Sequence, residues 1–94
     1  METAKLEQLR SAARAIRVGV IEGTHAAKSG HPGGSLSIAD IMAYLYFSEM
    51  NIDPANPAME DRDRFVLSKG HCAPALYAAL ANRGYFPVEE LTTL

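Results

Sequence analysis

Apolar positions recur at helical spacing through the first quarter of the chain. Leu6, Leu9, Ala13, Ile16, Val20 and Ala27 fall near one stripe, with Arg10, Arg14 and Arg17 largely off it. This predicts an amphipathic helix over about Thr3–Lys28. Gly19 and Gly23 each cost about 1 kcal/mol relative to alanine inside a helix. Their four-residue spacing, however, puts two bare patches on one face, which suits close approach by another element. Gly30 is a reasonable stop. The pattern then breaks: S-G-H-P-G-G-S, residues 29–35, holds a proline and three glycines and predicts a loop. Ser37 and Asp40 form an S-x-x-D start resembling a capping box. The helix predicted after it, Ile38–Met50, carries Asp40 as its only charge between Ile38 and Phe47. A helix apolar nearly all round should be buried on several sides.

D-P-A-N-P, residues 53–57, is turn chemistry, and E-D-R-D-R, residues 60–64, reads as a solvated, ion-paired surface. Phe65-Val66-Leu67, with a β-branched centre, is the one good strand candidate, a short strand near residues 65–68. Ser68–His71 then forms a loop. A third helix is predicted from about Pro74, which suits a first helical position, to Arg83, with Gly84 as its C-terminal stop. It too is apolar all round. Pro87–Leu91 begins a fourth helix. One strand makes no sheet, and a parallel strand needs a crossover partner. Two all-apolar helices need more cover than one amphipathic helix supplies. These residues are therefore expected to belong to something larger, either a longer chain or an obligate partner of another.

Composition changes this picture little. The 94 residues carry a formal charge of -2, with 48% hydrophobic and 21% charged side chains, which excludes a disordered or fibrous chain. This length allows one domain at most and buries roughly 60–70% of the unfolded surface. Cys72 is the lone cysteine, so there is no internal disulfide framework, and a reducing, cytoplasmic setting is the expectation. The N-terminus lacks an apolar signal core, and no stretch approaches the ~20 apolar residues of a membrane helix. Mild acidity argues against a nucleic-acid partner.

Two histidines carry the candidate chemistry. His31 sits in S-G-H-P-G-G, where the following proline favours an extended backbone and the glycines permit a tight turn and close ligand approach. A histidine so presented can polarise a carbonyl or move a proton near neutral pH; the alternative is a turn in which it only caps. His71, in S-K-G-H, follows the strand candidate and precedes a helix. The carboxyl end of a strand and the N-terminus of the next helix together make an anion site, so His71 suits a phosphate oxygen; the alternative is a buried, satisfied histidine. Lys69 is read as exposed and His25 as structural. Cys72 is read as a small buried thiol, and Tyr44, Tyr46 and Tyr77 as core. Three histidines without C-x-x-C or H-x-x-x-H spacing give no metal site.

S-G-H-P-G-G-S-L-S-I-A-D (29–40) and D-R-D-R-F-V-L-S-K-G-H-C-A-P-A-L-Y-A (61–78) together resemble the N-terminal, diphosphate-binding part of transketolase. The resemblance runs from about Ala13 to Leu91 and is closest to the split form, in which the two halves are separate chains. It implies an α/β fold, with residues 1–94 as the first part of a doubly wound thiamine-diphosphate-binding domain that is mostly helical in this segment. It also implies transfer of a two-carbon ketol unit from a ketose phosphate to an aldose phosphate, with thiamine diphosphate breaking the bond, in the pentose phosphate pathway. The histidine matching His31 would lie beside the donor substrate and assist charge or proton movement there. The histidine matching His71 would contact the cofactor's diphosphate. Implied partners are sugar phosphates, a C-terminal transketolase half and a dimeric assembly.

The resemblance also marks what these residues lack. The family's G-D-G metal motif, for Mg or Ca, and the glutamate that activates the cofactor's aminopyrimidine lie outside the segment, so 1–94 alone is expected to be inactive. Two other classes remain beside this reading. One is a related thiamine-diphosphate enzyme, a deoxyxylulose-phosphate synthase or a transketolase for an unusual sugar. The other is a non-enzymatic helical interaction domain.

Overall fold

The computed structural model of the protein describes residues 2–28 and 32–93. Helix α1, Thr3–Ala27, is the long axis against which the other elements pack. It buries Leu9, Ala12, Ala13, Ile16, Gly19 and Val20, the inner part of the expected stripe. The stripe's ends, Leu6 and Ala27, are exposed. α1 stops one residue earlier than its pattern suggested. Lys28, not Gly30, closes it in the left-handed region (φ 55°), its N–H donating to His25 O at 3.2 Å.

Residues 32–35 correct the loop expected over 29–35. Pro32–Ser37 form a short helix, α2. Proline suits a first helical turn, where its missing N–H is not needed, and tertiary contact overrides the low helix propensity of Gly33 and Gly34. The capping box does not form. The Ser37 hydroxyl instead donates back to Gly34 O at 2.8 Å, and α3 (Ala39–Tyr44) starts after Ile38 with no side-chain cap. Asp40 instead pairs with Arg17 of α1 at 2.9 Å.

α3 does not run on to Met50 as one α-helix. It widens into a π-helical turn, Leu45–Glu49. Two cations from other elements hold that turn: Lys5 Nζ donates to Phe47 O at 2.7 Å and Arg83 Nε to Tyr46 O at 2.8 Å. Tyr44 donates to Glu49 at 2.8 Å, and this bond raises the pKa of its phenol. Asn51 then pins the charged segment, because its N–H donates to Asp63 Oδ2 at 2.7 Å and its carbonyl accepts from Asp63 N at 2.8 Å. Among the described residues, the cluster 60–64 is held by such bonds and by arginine-to-carbonyl contacts, with no ion pair inside it.

The strand expected near 65–68 is absent: no strand occurs among the described residues. Residues 62–67 form no regular element and pair with no other strand, and an isolated strand has no ladder to close. Phe65 and Leu67 lean inward, Phe65 edge-on to Tyr46 with ring centroids 6.1 Å apart, whereas Val66 is 84% exposed. What the chain itself forms is thus helical, and the α/β character rests on family alone.

A 3-10 turn, Gly70–Cys72, leads directly into α4, Ala73–Arg83. Gly84 ends α4 with φ 111°, its N–H reaching Ala81 O at 3.1 Å, while Tyr85 N reaches Leu80 O at 3.0 Å. These two bonds make a Schellman cap, which only the left-handed glycine allows without strain. The expected fourth helix is a 3-10 segment, Val88–Thr93. Its Leu91 lies over the glycine face of α1. A methyl group added at Gly19 would stand 3.0 Å from both Ala78 Cβ and Leu91 Cδ1, and one at Gly23 would stand 3.2 Å from Leu91 O. The two glycines therefore do admit close neighbours.

Ile16, Val20, Met42 and Tyr46 supply the bulk of the core, and alanines from α1, α3 and α4 fill the space between them. Tyr46 is core as expected. Tyr44 and Tyr77 are not, each being 41% exposed, because they stand on faces of α3 and α4 that nothing in the described chain covers.

Candidate functional site

His71 stands in the 3-10 turn that feeds α4 and is exposed, which removes the buried, satisfied alternative. Cys72 N donates to Lys69 O at 2.9 Å, and Ala73 N to Gly70 O, so the turn itself is fixed by backbone bonds. The imidazole is thus presented to solvent just ahead of an eleven-residue helix whose dipole is positive at that end. The Cys72 and Ala73 N–H groups are taken up in that turn and Pro74 has none, so an anionic oxygen here would be held by the imidazole itself, with the positive end of α4 behind it. Lys69 is exposed beside it, as expected.

α2 lies directly against this turn. A methyl group placed on Gly34 would come within 2.7 Å of Cys72 Sγ, 3.3 Å of His71 Nε2 and 3.4 Å of His71 Cδ2. Gly33, its neighbour, faces open space. The P-G-G of the first motif, residues 32–34, and S-K-G-H therefore meet in the fold, with bare Gly34 backbone on one side and the imidazole and thiol on the other. Cys72 is a fully buried free thiol, as expected of it.

His31, the expected catalytic and substrate-contacting residue, lies outside the described residues. Its neighbour in sequence, Pro32, opens α2. His25 is exposed near the end of α1, with His71 in a different element.

Two features of the site went unread in the sequence. Gly34 reads there as one more loop glycine, and nothing local shows that a thiol 38 positions away abuts it. Ser35 is fully buried and its Oγ has no hydrogen-bond partner. A buried hydroxyl left unpaired costs about 1–3 kcal/mol, and serine in a Gly-Gly-Ser run signals only a turn. Among the described residues no group of three or more histidine, cysteine or acidic side chains gathers as a metal site, and no helix is long and apolar enough to cross a membrane.

Open pockets among the described residues include two that lie elsewhere. One, of about 220 Å³, is lined by Tyr46, Arg62, Asp63 and Tyr85 over an apolar floor. The other, of about 390 Å³, runs along α1 past Arg14, Val18 and Glu22 to Val88. Neither includes His71.

Comparison with known proteins supplies what the geometry leaves open. Residues 8–94 match the family model described as transketolase, thiamine diphosphate binding domain. A 6-deoxy-6-sulfo-D-fructose transketolase subunit from Clostridium sp. is 66% identical over 65 residues, 69% of this chain and 24% of the relative. Mouse transketolase is 47% identical over 90 residues, 96% of this chain and 14% of the relative. An apulose-4-phosphate transketolase subunit from Phocaeicola vulgatus is 40% identical over 94 residues, 100% of this chain and 32% of the relative. The chain thus spans a third or less of the length of these relatives.

Proposed function

From the premise that this chain belongs to the family of transketolase thiamine-diphosphate-binding domains, we propose that it is the N-terminal portion of a transketolase. In that reading the assembled enzyme moves a two-carbon ketol unit from a ketose phosphate to an aldose phosphate, and these residues hold one side of the cofactor. The observation that carries the reading is the meeting of P-G-G (32–34) and S-K-G-H at Gly34, with His71 exposed at the start of α4.

The residues present fit the diphosphate end of the cofactor. The donors are an exposed imidazole and a nearby lysine, both suited to phosphate oxygens, with the positive end of the α4 dipole behind them. Thiamine diphosphate supplies the carbanion chemistry when bound. His71 binds and orients its diphosphate. His31, which precedes Pro32 in sequence, assists charge or proton movement at the donor substrate. A divalent metal at the diphosphate would take its ligands from outside these residues, and the glutamate acting on the aminopyrimidine would likewise come from outside them. A C-terminal half, on the same or a separate chain, completes the site in a dimer.

The test uses the assembled enzyme. His71→Ala weakens thiamine diphosphate affinity, read by titration; equal affinity for variant and wild type removes that role. His31→Ala lowers kcat far more than cofactor affinity, and unchanged turnover removes it from the catalytic set.

A second reading keeps the chemistry and changes the sugar. The high identity to a 6-deoxy-6-sulfo-D-fructose transketolase subunit, together with the match to an apulose-4-phosphate transketolase subunit, favours a split enzyme for a modified ketose. Comparing turnover on 6-deoxy-6-sulfo-D-fructose with that on an ordinary ketose phosphate separates the two.

A further inference from the structure

We propose that Gly34 is a positioning residue: having no side chain, it lets α2 seat on the Cys72 thiol, and this contact sets where the His71 imidazole stands. The inference rests on the reading of His71 as a diphosphate ligand and deepens it.

The geometry is asymmetric, and the asymmetry carries the inference. A β-carbon at Gly34 would lie 2.7 Å from Cys72 Sγ, closer than non-bonded carbon and sulfur can approach, and 3.3–3.4 Å from two atoms of the His71 ring. Cys72 is fully buried, and packed interiors resist displacement of their side chains. His71 is exposed and can move. Any side chain at position 34 therefore leaves the thiol in place and displaces α2, the imidazole, or both. Ser35, the next residue, is fully buried, which ties α2 to the interior and leaves the imidazole as the softer partner.

Adding the methyl thus becomes a lever on a residue that is remote in sequence, and removing the sulfur should release it. In the assembled enzyme, G34A is expected to weaken thiamine diphosphate binding about tenfold, because displacement of a ligating group by a fraction of an ångström to 1 Å has effects of that order or larger. C72A alone, which empties the seat of α2 without crowding the imidazole, is expected to weaken binding by less than G34A does. The double variant G34A/C72A, in which the β-carbon meets no sulfur, is expected to recover most of the lost affinity. Tm measured on the same variants separates positioning from stability: a displaced imidazole weakens cofactor binding beyond what any fall in Tm accounts for, and a loss of affinity that only tracks Tm overturns the inference.

The arms of the experiment separate two failures. If H71A binds the cofactor as tightly as wild type, the role of His71 falls and this inference falls with it. If H71A weakens binding while G34A does not, the role of His71 stands and the positioning role of Gly34 is overturned. A weakened G34A that C72A fails to rescue overturns it as well. Should G34A not fold, G34A/C72A must fold and bind, and its failure to do so is also a refutation.

Discussion

Gly19 and Gly23 are the same residue type on the same helix face, yet their surroundings assign them different substitution costs. Alanine would gain about 1 kcal/mol in helix propensity at either position. At Gly19 the new methyl meets Ala78 Cβ at 3.0 Å, an atom its own backbone holds in place, and Leu91 Cδ1 at the same distance. Overpacking of that kind costs about 1–3 kcal/mol, so Gly19→Ala is expected to be net destabilising by about 1 kcal/mol in urea unfolding. At Gly23 the sole neighbour is Leu91 O at 3.2 Å, and Gly23→Ala is expected to lie within about 0.5 kcal/mol of wild type. Spacing alone shows that the two glycines share a face. It does not show which of them is crowded, because that depends on where residues 78 and 91 arrive.

Tyr46 gives a second prediction at this scale. Burial raises its pKa above the ordinary 10.0, with Tyr85 adding to the rise and Arg62 opposing it. The folded state therefore holds the phenolic proton more tightly than the unfolded state. The Tyr46 contribution to stability is constant below about pH 10 and is lost as pH rises through the raised value. Unfolding free energy measured from pH 8 to 11 is expected to fall less steeply in Tyr46→Phe than in wild type. At the candidate site, the sequence showed both histidines but not what sets the stance of His71. A contact between Gly34 and Cys72 leaves no local trace in either motif.

At the level of elements, legibility followed the strength of local signals. α1 and α4 were readable because periodicity, Pro74 at the start of α4 and Gly84 at its end all agreed. α2 was not, since Pro-Gly-Gly locally favours a loop and only packing against residues 71 and 72 makes it helical. The π-helical turn 45–49 was hidden as well. Nothing in L-Y-F-S-E distinguishes it from an α-helix, and the cations that hold its carbonyls come from residues 5 and 83. Arg83→Ala leaves the part-buried Tyr46 carbonyl without that donor and is expected to cost about 1–3 kcal/mol by thermal or urea unfolding. Lys28→Gly acts in the other direction. A non-glycine residue held at φ 55° is strained, and relieving it is expected to add about 1 kcal/mol, read as a higher Tm.

For the whole molecule, the family was legible and the sheet was not. The paired motifs identify the thiamine-diphosphate-binding domain, and residues 8–94 match it. The strand expected near 65–68 does not form, because strand structure is a property of neighbours and the described residues contain no second strand. The helices do enclose a core, aided by many small alanines. Ile41, Val18, Ile21, Tyr44, Tyr77 and Val88 nevertheless remain 40–58% exposed on several faces.

The irregular segment at Val66 has a practical consequence for anyone handling this polypeptide. Among the described residues, no backbone hydrogen bond involves the N–H groups of 64–67, and the most exposed large apolar side chain, Val66 at 84%, lies in the middle. An open row of donors and acceptors under a β-branched residue is a template for intermolecular pairing. The charges immediately before it, Asp61 to Arg64, act as gatekeepers against that outcome. Concentrated samples of the 94 residues alone are accordingly expected to develop turbidity and thioflavin fluorescence with time. Val66→Lys should delay both, and an unchanged lag would place the sticky surface elsewhere.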